Sequence, residues 1–154
     1  MISQSHFKEL LQLLEKNNAE YVLVGGYAVA FHGFPRFTKD LDIFYRNSEE
    51  NVKRIKHALI EFGFPEEQLP DSLFYDTGNI IQFGIEPLRV DILNEIDGVS
   101  FDEAIKNHTR GKYGEIDINF IGINELIKNK EASGRPQDLV DAKKLRGKKS
   151  NVYI

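Results

Sequence analysis

Apolar positions along the chain change their period several times, and each change marks an element. Phe7, Leu10, Leu11 and Leu14 recur at helical intervals, so residues 4–17 are predicted to form an amphipathic helix ending near Asn17 and Asn18. Tyr21 to Val24 is a short apolar run stopped by Gly25 and Gly26, the pattern of a buried strand entering a tight turn. The following YAVAFHG suits two helical turns closed by Gly33, and Pro35 makes the next segment irregular. Leu41 to Tyr45 reads as a second strand. Asn47 and Glu50 have capping-box spacing ahead of Val52, Ile55, Ala58, Leu59 and Phe62, which predicts a helix up to Gly63.

Two prolines and several turn formers between Pro65 and Gly78 predict a loop. Ile80 to Ile85 and Leu88 to Leu93 then read as two strands around Glu86 and Pro87, a hairpin. Ser100 with Glu103 is a capping box that opens a short helix to about Asn107. Alternation over EIDINFI predicts a last long strand from Tyr113 to Ile121. Asn124 is expected to cap a helix running to about Ala132, and Gly134 and Pro136 punctuate before a final helix to about Leu145. No internal repeat interrupts this order. The expectation is one mixed α and β domain over residues 1–154, with a core at about 19–121 and a helical end at about 122–154.

Composition narrows the class without naming a function. A chain of 154 residues suits one compact domain, and 41% hydrophobic with 29% charged residues is a globular balance, not a disordered or fibrous one. The absence of cysteine excludes disulfides, thiolate metal sites and a catalytic thiol. The charged N-terminal residues lack the apolar core of a signal peptide, and no run approaches the roughly 20 apolar residues that span a bilayer. A cytoplasmic protein without membrane contact is therefore expected. The net charge of −4 is unevenly spread: from Lys128 to Lys149 eight basic residues face only Glu131, Asp138 and Asp141. Such an end can attract a polyanion such as a nucleotide or RNA, or simply be the solvated face of a surface helix.

The carboxylates carry the chemistry. Asp40 and Asp42 flank Leu41 in KDLDIF, and residues i and i+2 of a strand project from one face. Two like charges side by side call for a cation, and hard oxygen ligands suit Mg²⁺, or Mn²⁺ in its place, bound together with substrate phosphates. Asp91 lies inside the apolar run RVDIL, where a carboxylate needs a partner. If its strand neighbours that of Asp40 and Asp42, three carboxylates converge, enough for metal-assisted phosphoryl chemistry; otherwise Arg89 or Arg36 could simply satisfy Asp91. Gly25 and Gly26, between strand and helix, let backbone amides approach an anion closely. Thirteen residues separate Gly26 from Asp40, so one sheet could deliver phosphate cradle and metal ligands together.

The segment VGGYAVAFHGFPRFTKDLDIF resembles the signature of the DNA polymerase β-like nucleotidyltransferase superfamily, a Gly-Gly or Gly-Ser followed by Asp-x-Asp. More narrowly it is similar to the small bacterial members grouped with the AbiEii toxins and the minimal nucleotidyltransferases. His32-Gly33, Arg36-Phe37-Thr38 and Asp40-Leu41-Asp42 stand in that group's order. LIKNKEASGRPQDLVDAKKL likewise looks like the group's Lys, Gly-Arg-Pro-x-Asp-Leu, Asp pattern, so the resemblance runs from about Tyr21 to Leu145. Tyr27 departs from it, standing where many members have a small hydroxyl residue.

The resemblance implies an α+β nucleotidyltransferase fold, a mixed central sheet flanked by helices, with a short helical C-terminal end. It implies that Asp40, Asp42 and Asp91 bind the metal, with Asp91 also the candidate general base, and that Gly25 and Gly26 hold the β and γ phosphates. Lys130 would neutralise the triphosphate, and Arg36 and Thr38 would touch phosphate or fix the loop carrying Asp40. His32 reads as structural, and Arg135, Asp138 and Asp141 as residues that cap and pin the last helix. The expected activity is metal-dependent transfer of a nucleoside monophosphate from an NTP such as ATP to an acceptor hydroxyl on tRNA, a protein or a small molecule. A toxin–antitoxin or phage-defence setting, with a cognate partner, is expected with it. The alternative is a non-catalytic nucleotide-binding or partner-binding module of such a pair.

Overall fold

The computed structural model describes residues 4–34, 38–85 and 88–151. Helix α1 (Gln4–Lys16) leads into strand β1 (Tyr21–Val24), helix α2 (Gly25–Phe31), strand β2 (Asp40–Tyr45) and helix α3 (Glu49–Phe62). Helix α4 (Asp71–Tyr75), strands β3 (Ile80–Ile85) and β4 (Leu88–Leu93) and helix α5 (Phe101–Lys106) follow. Strands β5 (Thr109–Tyr113) and β6 (Ile116–Phe120) and helices α6 (Ile123–Ser133) and α7 (Pro136–Asn151) complete the order.

The six strands form one mixed sheet in the order β3-β4-β2-β1-β6-β5. β1 runs antiparallel to β2 and parallel to β6, while β2 runs parallel to β4. Two layers of helix follow from alternation in the central strands. Leu23, Leu41, Ile43, Val90 and Ile92 pack on one face against Phe7, Leu10, Leu11 and Leu14 of α1 and Val52, Ile55 and Leu59 of α3. Val22, Val24 and Phe44 point to the other face, against Val29 of α2, Phe101 of α5, Leu126 of α6 and Leu145 of α7. By the same alternation Asp40 and Asp42 belong to this second face, where α2, α6 and α7 lie.

The structure corrects several boundaries. The N-cap of α3 is Ser48, not Asn47: its hydroxyl accepts the Asn51 amide, while Asn47 donates to the Tyr75 carbonyl. The stretch expected as loop holds a 3₁₀ turn (Glu66–Gln68) and α4, because Phe74 is fully buried under Tyr45 and anchors a helical turn there. The long strand expected from Tyr113 is a hairpin, since Gly114, at φ 62°, reverses the chain between β5 and β6. β5 carries no apolar pattern because, as an edge strand, it buries little and reads TRGKY. Gly122, not Asn124, precedes α6, and the Ser100–Glu103 capping box forms as expected.

Candidate active site

Sheet register brings the sequence-distant carboxylates together. Across the parallel pair β2 and β4, Asp42 stands opposite Asp91 and Asp40 opposite Arg89, and on the other side of β2 Asp42 pairs with Val24. Val24 is the last residue of β1, so the chain turns into α2 beside Asp42. Gly25 makes that turn at φ 69°, a conformation that costs most residues energy but not glycine. A Cβ at residue 25 would overlap Asp42 Oδ2 and stand 3.1 Å from its Cγ. Gly26 is buried behind it.

These residues line one cleft of about 670 Å³, whose wall includes Gly25, Gly26, Thr38, Asp40, Asp42, Asp91 and Lys130. Seven of the eight residues singled out by sequence thus meet in one place, and Arg36 lies outside the described residues. Thr38 Oγ1 approaches the Asp40 carbonyl at 3.5 Å, so it lies on the loop that presents Asp40.

Electrostatics in the cleft are dominated by negative charge. Burial, then the Asp91 and Asp40 carboxylates, push Asp42 up to about 7, against weaker opposing pulls from Lys130 and Arg89. Asp40 Oδ1 is buried and accepts no hydrogen bond from the described residues. Arg89 offsets part of this charge: its Nε donates to Asp91 Oδ1 at 2.9 Å and its Nη2 donates to Asp91 Oδ2 and Asp40 Oδ2, each at 3.1 Å. The pairing of Arg89 with Asp91, one of the two options open in the sequence, is therefore realised. Among the described residues no group of three His, Cys, Asp or Glu side chains is arranged as a metal site. The donor set nevertheless fits a hard divalent cation: it offers hard oxygens from three carboxylates on adjacent strands, one of them buried and without a hydrogen bond from the described residues.

Lys130 is 5% exposed and reaches the cleft from α6. Its ammonium donates to Asp138 Oδ1 at 2.9 Å and lies 3.4 Å from Asp141 Oδ2. Burial alone would raise Asp138, but Ser133, Lys130 and Arg135 outweigh it and hold the carboxyl below its ordinary range. The Gly-Arg-Pro segment thus builds an ionic joint between α6 and α7 that fixes Lys130 in place. His32 is structural in the same sense, its Nε2 standing 2.8 Å from the Ile121 carbonyl, with burial pulling its pKa down. Tyr27 packs its ring against Phe7 and Tyr113.

Sequence reasoning gave Arg89 only as a partner of Asp91. Its spacing of two residues from Asp91 was the available signal, because it places both side chains on one face of β4. Glu95, Asp97 and Gln137 also line the cleft and carry no sequence signature.

Comparison with known proteins bears on the family and the fold. Residues 10–68 match the family described as nucleotidyl transferase AbiEii toxin, type IV toxin–antitoxin system. The match runs from the middle of α1 to the 3₁₀ turn and so includes Gly25, Gly26, Asp40 and Asp42. No curated protein matches the chain. A crystal structure from Thermotoga maritima, described as that of a candidate nucleotidyltransferase, superposes with a TM-score of 0.55 at 16% identity, covering 96% of this chain and 94% of that one. At that identity the likeness is one of fold. No helix among the described residues is long and apolar enough to cross a membrane. The family match covers residues 10–68 of the 154, and over the whole chain the likeness is to a nucleotidyltransferase fold.

Proposed function

We propose that the protein is a metal-dependent nucleotidyltransferase that moves a nucleoside monophosphate from an NTP to an acceptor hydroxyl. The observation that carries this reading is the register of Asp42 against Asp91, with Gly25 pressed on Asp42 where β1 turns into α2. In this reading Asp40, Asp42 and Asp91 hold Mg²⁺, or Mn²⁺ in its place. The bound ion would offset the charge that develops on the phosphates and orient the triphosphate. Gly25 and Gly26, lacking side chains at the cleft wall, leave their amides open to the β and γ phosphates. The acceptor oxygen attacks the α phosphorus, the bond to the bridging oxygen breaks, and pyrophosphate leaves. Asp91 takes the hydroxyl proton, and Lys130 lowers the cost of gathering phosphate beside three carboxylates.

For the acceptor we favour a polyanion such as tRNA. Four of the eight basic residues at the C-terminal end are tied up, Lys128 to Glu103, Lys130 and Arg135 to Asp138, and Arg146 to Glu131. Lys143, Lys144 and Lys148 are exposed along α7. They would give phosphate contacts without base reading, and hence affinity that falls with salt. The matched family's description further suggests a toxin of a type IV toxin–antitoxin pair, with a cognate antitoxin as partner.

Incubating the protein with labelled NTPs, Mg²⁺ and total tRNA tests this. Label should move to RNA with release of pyrophosphate, and Asp40→Asn should abolish it. Label on protein or on a small molecule would correct the acceptor. Nucleotide binding without pyrophosphate release, unchanged in Asp40→Asn, would overturn the enzyme.

A further inference from the structure

The register of β2 and β4 sets four side chains on one face of the sheet as a two-by-two array, Asp40 beside Arg89 and Asp42 beside Asp91. Three are acidic and one is basic. The single cation is not held by one neighbour: the Arg89 guanidinium bridges both strands, engaging both oxygens of Asp91 and Oδ2 of Asp40. These are oxygens that a divalent cation would also need. Among the described residues no group of three His, Cys, Asp or Glu side chains is arranged as a metal site, although three carboxylates line one cleft. Arg89 itself lines the cleft and its side chain is 34% exposed, so the guanidinium can leave the carboxylates without crossing the core.

We propose that Arg89 is an internal counter-ion that holds the cation position of the metal-free protein and must release Asp40 and Asp91 when a divalent cation binds. The inference rests on the metal-dependent reading above. A planar fork with several donors is well suited to such a place, because it satisfies two carboxylates at once while carrying only one positive charge. A divalent ion offsets more of the charge on the three carboxylates and so can displace it. Once released, the guanidinium remains on the wall of the cleft, where the phosphates of an NTP are its natural partners. The residue therefore links filling of the metal position to assembly of the triphosphate site.

The experiment compares wild type with Arg89→Gln and Arg89→Ala, using Mn²⁺ alone without nucleotide. Calorimetric titration should show Mn²⁺ binding roughly tenfold or more tighter in the variants, since no internal cation has to be displaced. Their melting temperatures should fall in the absence of metal and recover when Mn²⁺ is added. An ion pair with a purely structural role would instead give a lower melting temperature that Mn²⁺ does not repair, together with unchanged affinity, and that result overturns the inference while leaving the metal reading intact. Absence of Mn²⁺ binding in wild type and variants alike overturns both. Should the variants fail to fold, the Arg89 Nε–H resonance of the wild-type protein decides. It should be shifted and slow to exchange without metal and lose both properties at saturating Mg²⁺, and a resonance that does not change overturns the proposal.

Discussion

Gly25 and Asp42 fit against each other so closely that a Cβ at residue 25 would overlap the Asp42 carboxylate. The contact joins the turn after β1 to the middle of the acidic array on β2, so backbone conformation and site chemistry are one feature here.

Gly25→Ala therefore carries two penalties. The positive φ alone costs about 1–2 kcal/mol for a residue with a Cβ. The overlap in addition pushes Asp42 out of register with Asp91. Urea denaturation should show the stability loss, and label transfer should fall further than stability explains. Gly63→Ala is the control: it has φ 131° but nothing within 4 Å of its added Cβ, so it should lose stability and keep full transfer.

Stability of the metal-free protein should depend on pH through Asp42. Its folded pKa, about 7, lies above the ordinary value of 3.8, so between those values the folded state binds the proton more tightly than the unfolded one. Stability without metal is then highest at acidic pH and falls as pH rises towards about 7, levelling off above it. Divalent metal needs the ionised carboxylate, so added Mg²⁺ should stabilise more as pH rises over the same window. Melting curves at several pH values, with and without Mg²⁺, check both slopes, and Asp42→Asn should flatten the metal-free one.

Lys130 should matter for folding even before any nucleotide is present. Lys130→Met takes the shared ammonium from the buried Asp141 and the half-buried Asp138, and removing one partner of such an ion pair costs about 3–5 kcal/mol. Arg135→Ala removes an exposed partner of the same Asp138 and should cost less than about 1 kcal/mol. Equal losses for the two variants in denaturant titrations would contradict the view of Lys130 as the centre of the joint between α6 and α7.

Asn51 predicts a second hidden dependence. Its side chain is 1% exposed, accepts from the Glu20 amide at 2.7 Å and donates to the Glu20 and Arg46 carbonyls at 3.0 and 2.8 Å. Asn51→Ala leaves these backbone groups of the flanking segments unpaired, at about 1–3 kcal/mol for a buried group. Hydrogen exchange should show β1 and β2 opening more readily at that end, while Asn51→Asp, which keeps the acceptor only, should fall between alanine and wild type.

Much of this was legible because the signals are local. The helical spacing of Phe7, Leu10, Leu11 and Leu14, the run Tyr21–Val24 and the Ser100–Glu103 capping box each report on neighbours along the chain, and α1, β1 and α5 formed where they were expected. Asp40 and Asp42 stood out because i and i+2 share a face whatever sheet they join. The failures share a cause as well. α4 exists because Phe74 is buried beneath Tyr45, a contact made by residues 29 apart, and β5 exists because β6 lends it hydrogen bonds that its polar residues do not advertise. Ser48 caps α3 in place of the expected Asn47, whose side chain is engaged by the Tyr75 carbonyl 28 residues away.

The sequence by itself determined the inventory of this protein: a cysteine-free α and β chain, a Gly-Gly turn after a buried strand, and three carboxylates in strand contexts. Tertiary structure decided what these groups do to one another. Burial in the cleft, together with the Asp91 carboxylate that parallel pairing of β2 with β4 set opposite, raised the Asp42 pKa, and the same pairing laid Arg89 across both strands as the counter-charge. Strand periodicity is fixed by bond geometry and can be read from one chain, whereas register is chosen by hydrogen bonds between segments distant in sequence. The charge state of the cleft follows from that register.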